Sequence, residues 1–193
     1  MREGSDATRE AERRGRAFRL ARELSVAGMM GALGLALPMV VHAVGGGGAG
    51  RVLLPMHIPI LMAGLLCSPG IAASVGLLVP LVSWALTQMP PMVPPIAPLM
   101  SIELAVLGLT ASLIYRGGRV SVVLAVVGAM LAAGLVHGAG LWVTFPLFVP
   151  AGRAIPFWGY LAAGLARSIP GFAIQLVAVP MVIKGMQRIR RLG

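Results

Sequence analysis

Six apolar segments separated by short polar, glycine-rich or proline-rich stretches dominate the sequence. A membrane span needs roughly 17–25 apolar residues, so this pattern predicts an all-α integral membrane protein with six transmembrane helices. The predicted spans cover residues 24–44, 52–66, 71–87, 99–115, 120–142 and 157–183. The second segment is the shortest and carries Pro55 and Pro59. It predicts a short or kinked span whose freed backbone groups are satisfied by protein or a cavity.

Composition narrows the classes of protein further. The chain has 193 residues, of which 58% are hydrophobic and 11% charged, and its mean hydropathy is +0.89. Both an ordinary soluble enzyme fold and a disordered chain are thereby excluded, because neither tolerates so much apolar surface. Cys67 is the single cysteine, which rules out an internal disulfide and a cysteine-based metal cluster.

The positions of the basic residues predict the orientation in the membrane. The net charge of +10 is concentrated near the ends of the chain, which suits an anionic cytoplasmic leaflet better than nucleic acid. Both termini are predicted to be cytoplasmic under the positive-inside rule. We divide the chain into a charged tail or interfacial helix (1–23), a six-helix membrane domain (24–184) and a basic tail (185–193). We expect a multi-pass protein of the plasma membrane. Thirteen of the 16 Lys and Arg residues then lie inside: Arg2, Arg9, Arg13, Arg14, Arg16, Arg19, Arg22, Arg116, Arg119, Lys184, Arg188, Arg190 and Arg191.

The connections predicted to face outward are longer and stiffer than those facing inward. A flexible glycine run at 45–48 is expected to end the first span. Five prolines within 88–98 predict an extended, rigid loop. A third, proline-punctuated loop precedes the sixth span, which we expect to be interrupted by Arg167 and by Pro170-Gly171. Loops of this kind can cover a site that is open to the outside.

Charged and imidazole side chains within the spans are the first candidates for function. Glu103 is the only carboxylate beyond Glu23, and helix rise places Arg167 within reach of it. They either form a structural ion pair or contact a substrate. His57 either stabilises a helix end or binds a ligand. We expect His137 to be a buried, hydrogen-bonded helix residue.

Aromatic and small residues supply further candidates. Trp84, Gln88, Trp142 and Trp158 are predicted at the outer ends of their spans, as an interfacial belt or as a stacking surface for a planar ligand. Small side chains recur every four residues in the first span. They form a ridge that packs either within the protein or against a partner. The ridge residues are Gly28, Ala32 and Ala36.

Motifs for nucleotide binding or hydrolysis are absent: the sequence contains no GxxxxGK[ST], HExxH or GxSxG. We therefore predict that the protein is not an enzyme and carries no cofactor or metal. Any ATP-driven function needs another chain as its motor.

Three stretches resemble the substrate-binding S components of energy-coupling factor (ECF) transporters: the apolar segment 54–66 (LPMHIPILMAGLL), the Met89-Pro90-Pro91 loop, and Ile102-Glu103-Leu104-Ala105. The resemblance implies a membrane subunit that captures a vitamin or related micronutrient from outside, beneath its outer loops. It also implies a transmembrane coupling subunit and two cytoplasmic ATPase subunits as partners. The coupling subunit would contact the ridge of the first span.

Other functions stay open at this point. A stand-alone proton-coupled carrier would use Glu103 as its coupling carboxylate. One intramembrane carboxylate and three scattered histidines give little support to an intramembrane enzyme. A purely structural membrane subunit would not explain the rigid outer loops over polar residues.

Overall fold

The computed structural model describes residues 2–118, 120–148 and 156–192, and these fold into six α-helices and one short 3-10 helix. All the regular structure in these ranges is helical, as predicted. The 3-10 helix is Phe145–Leu147. The α-helices are α1 (Arg2–Leu53), α2 (His57–Leu66), α3 (Pro69–Thr87), α4 (Ile96–Gly117), α5 (Val122–Thr144) and α6 (Phe157–Leu192).

Five of these helices contain segments long and apolar enough to cross a membrane, whereas α2 has only ten residues. At 1.5 Å per residue, α2 is about 15 Å long, half the thickness of the hydrocarbon core. The all-α membrane fold and the short second helix are therefore confirmed. The number of full crossings and the cytoplasmic placement of both termini stay predictions.

The first helix differs from its prediction. Residues predicted as a tail, a span and a flexible glycine loop form one helix that continues through the glycine run to Leu53. Glycine lowers helix propensity by about 1 kcal/mol but does not forbid a helix. The glycine run extends a helix that is already formed, so no new nucleation is needed. The break comes only at Leu54, which has φ 50°, and Pro55.

The path of the chain requires α1 to bend. A straight helix from Glu23 to Leu53 would measure about 45 Å. The return from Leu54 through α2 to Cys67 can cover only about 30 Å, yet the Cys67 Sγ lies 3.6 Å from the Glu23 carbonyl oxygen. Pro38 lies inside α1 and, because it cannot donate a backbone hydrogen bond, it is the natural position for a kink.

Two other proline-containing stretches are helical where the sequence predicts an interruption or an extended loop. Pro170 and Pro180 both lie inside a continuous α6, so the predicted interruption at Arg167 and Pro170-Gly171 is wrong. A proline removes one hydrogen bond, which a membrane helix packed against neighbours tolerates. Helix α4 begins at Ile96, inside the stretch predicted as extended. Pro98 lies in its first turn, where no backbone donor is needed.

Glycines allow α2, α3 and α4 to approach one another closely. A Cβ added at Gly108 would lie 2.7 Å from the Ala72 carbonyl oxygen, and one at Gly64 would lie 2.7 Å from the Ala111 Cβ. A Cβ at Gly76 would meet the Leu104 carbonyl oxygen. Small residues of this kind are how membrane helices gain packing contacts. The densest part of the core consequently lies around α2, whose residues are nearly all buried.

Candidate functional site

Three polar side chains from three helices meet inside the apolar bundle. His57 is the first residue of α2, Glu103 lies on α4 and His137 on α5. The His57 Nε2 is 3.3 Å from Glu103 Oε1, and the His137 Nδ1 is 2.7 Å from Glu103 Oε2. Each imidazole N–H donates to one oxygen of the carboxylate. We call these three residues the buried polar cluster.

Helix rise explains why the cluster forms at one level of the bundle. Glu103 lies seven residues after the start of α4, and His137 lies seven residues before the end of α5. These two helix ends are on the same side of the bundle, so both residues are about 10 Å below it. His57 reaches this level because the turn at Leu54–Met56 ends with a hydrogen bond from His57 N to the Leu54 carbonyl oxygen (3.0 Å). The cluster is thus in the half of the bundle predicted to face outward.

The surroundings of the cluster are nearly dry. The side chains of His57 and Glu103 are 4% and 11% exposed, whereas that of His137 is 28% exposed. A buried carboxylate is costly unless donors satisfy it, and the two imidazoles do so here. When the His57 Nε2 carries the proton, its Nδ1 is an acceptor. That atom is buried and has no hydrogen-bond partner among the described residues.

The cluster therefore has acceptor capacity that the protein leaves unused. Glu103 retains lone pairs beyond those engaged by the imidazoles, and each neutral histidine has one acceptor nitrogen left. Because the edge of His137 is the most exposed part, it is the side from which a small molecule can approach. Such a site favours a molecule with hydrogen-bond donors. Among the described residues, no group of three or more His, Cys, Asp or Glu side chains has an arrangement that could hold a metal ion.

Aromatic rings form a layer at the nearby ends of α5 and α6. Trp142 and Phe157 make an edge-to-face contact with ring centroids 6.2 Å apart, and Phe157 makes a second with Trp158 at 5.2 Å. Phe145 and Tyr160 pair in the same way at 5.9 Å. The two tryptophans are 50% and 72% exposed. These rings can serve either as a membrane-interface belt or as an apolar cover for a ligand.

The small residues of the first span face away from the bundle. Gly28, Ala32 and Ala36 are all exposed, and a Cβ at Gly28 would have no neighbour within 4 Å. A different face of α1 packs inward: Ala27 is buried, and a Cβ at Gly34 would lie 3.0 Å from the Val79 Cγ1. In this structure the ridge therefore does not serve packing within the chain.

Comparison with known protein families identifies the family of this chain. The model of the family "ECF transporter, substrate-specific component" matches residues 22–183, which is most of the chain. The chain belongs to this family. It is thus a substrate-specific component of an ECF transporter, a multi-pass protein of the plasma membrane, and the family is one of transporter subunits rather than enzymes. No curated protein and no solved structure matches the chain.

Only part of the predicted set of site residues in this S component comes together. His57 and Glu103 do, and Trp142 lies in the aromatic layer. Trp84 is partly buried. Gln88 is the exposed C-cap of α3, and its backbone N–H donates to the Trp84 carbonyl oxygen at 2.7 Å. These two residues lie outside the ring contacts of α5 and α6.

The predicted pairing of Glu103 with Arg167 stays a prediction. Arg167 is on α6, but its side chain lies outside the described residues. The contacts that the structure does give Glu103 are those with the two histidines, one on each oxygen. The His42 ring N–H at Nδ1 donates to the Pro38 carbonyl oxygen of its own helix at 2.7 Å.

His137 is the functional candidate that sequence reasoning did not connect to Glu103. His137 is hydrogen-bonded as predicted, but it is only partly buried and its partner was not foreseen. The signal was present in the sequence, because nearly equal distances from the outer ends of the fourth and fifth predicted spans place the two residues at about one depth.

Proposed function

We propose that this S component captures a vitamin or related micronutrient from the outside and delivers it to an ATP-driven importer. The observation that carries the proposal is the buried polar cluster of His57, Glu103 and His137. Intramembrane ionisable groups are expensive, and they typically mark substrate or ion pathways. A cluster with unused acceptors below a layer of aromatic rings fits the chemistry of a small-molecule site, which is mostly apolar with a few oriented polar groups.

In this proposal the cluster selects molecules that donate hydrogen bonds. Glu103 and the free nitrogens of the histidines accept from the ligand, while Trp142 and its neighbours cover the apolar part. Trp84, Gln88 and Arg167 remain proposed contributors from α3 and α6. A ligand that enters from the exposed side of the cluster would contact the His137 ring before the other two polar side chains.

The test is retention of a small molecule by the purified protein, measured by native mass spectrometry. We expect the wild type to retain a ligand and Glu103→Gln and His137→Leu to retain at least about tenfold less, the equivalent of one lost hydrogen bond to a charged group. His42→Leu is the matched control, because the hydrogen bond of that histidine among the described residues is to its own helix. Equal retention in the cluster variants and the control would contradict the proposed site.

Import requires partners, and we propose that the ridge of Gly28, Ala32 and Ala36 is their docking surface. Small residues allow a second membrane helix to pack closely, and this ridge is exposed along α1. The expected partners are a transmembrane coupling subunit and two ATPase subunits. Joint substitution of the three ridge residues by Leu should prevent co-purification of the coupling subunit while ligand retention persists. Ala173→Leu, on an exposed position of α6, is the control for added bulk.

Transport in proteoliposomes separates this function from a stand-alone carrier. We expect uptake only when the coupling subunit, both ATPase subunits and ATP are present. Uptake that follows a proton gradient with this chain alone would instead support a proton-coupled carrier in which Glu103 takes up the proton. Glu103→Gln would then abolish the dependence on the gradient.

A further inference from the structure

A second group of polar contacts lies at the opposite end of the bundle, on the side predicted to be cytoplasmic. The Glu23 Oε2 accepts a hydrogen bond from the Ser68 backbone N–H at 2.9 Å, and its Oε1 lies 3.3 Å from the Arg116 Nη2. The same guanidinium nitrogen donates to the Leu66 carbonyl oxygen at 3.3 Å. The Cys67 thiol donates to the Glu23 carbonyl oxygen at 3.6 Å. We call these five residues the clasp.

The clasp joins α1 to both ends of the turn between α2 and α3 and to the end of α4. Ser68 is the N-cap of α3, so the Glu23 carboxylate also lies where the helix dipole favours a negative charge. The turn itself is fixed by Ser112, whose hydroxyl donates to the Cys67 carbonyl oxygen at 2.9 Å. The Glu23 and Arg116 side chains are 25% and 42% exposed, so solvent weakens their attraction but does not remove the hydrogen bonds.

Helix geometry relates the clasp to the ridge. At about 100° per residue, Ala32 lies about 180° around α1 from Glu23. Gly34, which packs on Val79, lies within about 20° of the Glu23 direction. The clasp and the Gly34 contact therefore hold one face of α1 against the bundle, and the ridge occupies the opposite face.

We propose that Glu23 and Arg116 are positioning residues that set the rotation of α1 and so present the ridge outward to the coupling subunit. This inference rests on the proposed function. The other contacts on this face of α1 are apolar: Ala27 is buried, Met30 packs against the core and Gly34 lies on Val79. Apolar packing is non-directional, so the hydrogen bonds of the clasp are what define the rotation of α1. Without the clasp, rotation of α1 about its axis would turn the small residues away from the partner.

The chain contains its own reporter for this arrangement. Cys67 is the only cysteine and is 0% exposed. Burial raises the pKa of the Cys67 thiol above its ordinary value, which keeps it protonated and slow to react. Because its Sγ lies against the Glu23 backbone, release of α1 should expose it to a maleimide.

The experiment measures two quantities on the full-length protein: the rate of Cys67 labelling by a maleimide, and the Kd for the coupling subunit. We expect Glu23→Ala and Arg116→Met each to raise the labelling rate and the Kd about tenfold, as for loss of a charge-assisted hydrogen bond. Arg116→Lys should restore most of both values, because an ammonium also donates. Arg22→Ala, a charge removed from an exposed neighbouring position, is the matched control and should match the wild type.

Each outcome decides the proposal. An unchanged labelling rate in both clasp variants would show that the clasp does not hold α1. A raised labelling rate with an unchanged Kd would show that it does not position the ridge. Retained ligand and an unchanged elution volume distinguish a displaced α1 from an unfolded protein. If the wild type binds no coupling subunit, both the proposed docking surface and the positioning role are wrong. The labelling rates still show whether the clasp holds α1.

Discussion

Replacement of Glu103 by Ala tests the energetics of the buried polar cluster directly. The substitution removes the acceptor of two imidazole donors at once. His57, with a side chain only 4% exposed, is left with a buried N–H that no water replaces. An orphaned buried polar group costs about 1–3 kcal/mol. His137 is 28% exposed, so its freed N–H is less completely buried and its contribution is smaller.

The expected loss of unfolding free energy comes from the two histidines left without their acceptor, and it is partly offset because a buried carboxylate is removed. Breaking a buried charge pair typically costs about 3–5 kcal/mol when one charge is left behind. Here the groups left behind can be neutral imidazoles, and the variant no longer buries a carboxylate. We therefore expect Glu103→Ala to lower the free energy of unfolding by about 2–4 kcal/mol. Glu103→Gln keeps one carbonyl acceptor and the side-chain shape, and should lose about 1 kcal/mol.

The assay is reversible unfolding in mixed detergent micelles with increasing denaturing detergent, followed by helical circular dichroism. Ile102→Ala is the control, because Ile102 is the adjacent α4 residue and is 53% exposed. A double-mutant cycle between His57→Ala and Glu103→Ala should give a coupling of about 0.6–1.7 kcal/mol, from the average to the upper end for hydrogen bonds between membrane helices. The reasoning is refuted if Glu103→Ala costs no more than the control, or if the cycle is additive.

Two other predictions concern packing and orientation. Gly108→Ala places a Cβ 2.7 Å from the Ala72 carbonyl oxygen, which forces α3 and α4 apart. It should lower the free energy of unfolding by about 1–3 kcal/mol in the same assay. Gly70→Ala is its control, because a Cβ there has no neighbour within 4 Å. In a Cys67→Ser background, Val93→Cys, at a position 75% exposed in the proline-rich loop, should be labelled by a membrane-impermeant maleimide from outside the cell. Labelling only after the cells are opened would reverse the orientation on which the outward-facing site depends.

The sequence predicts the helical membrane fold well because apolar segment length is a direct consequence of bilayer thickness. The short second helix follows from the same argument, since Pro55 limits where it can begin. The ends of helices are predicted less well. The glycine run extends a helix that is already formed and needs no new nucleation. Pro170 in α6 is a helix breaker in water, whereas an apolar surrounding penalises unpaired backbone groups more than it penalises a proline.

The candidate site is predictable to the extent that depth can be read from helix rise. Glu103 and His57 are identifiable as polar residues in apolar segments, but the choice among partners for Glu103 needs the rotation of each helix about its axis. That rotation depends on close contacts such as Gly108 with Ala72, which no periodicity in the sequence encodes. The inner clasp escaped prediction for the same reason, because Glu23 and Arg116 are 93 residues apart and each reads as an ordinary charge at a membrane border.

Helix α2 connects the two polar groups of this S component. Its first residue, His57, bonds to Glu103 in the buried polar cluster, and the carbonyl oxygens of Leu66 and Cys67 at its other end bond to Arg116 and Ser112 on the same helix α4. A helix of ten residues with nearly all of its side chains buried is too short and too tightly packed to bend. Displacement of His57 by a ligand would therefore be resisted at the clasp, about 15 Å away. The short length of α2, which makes it a poor membrane span, makes it suitable as a rigid link between the proposed ligand site and the base of the proposed docking helix.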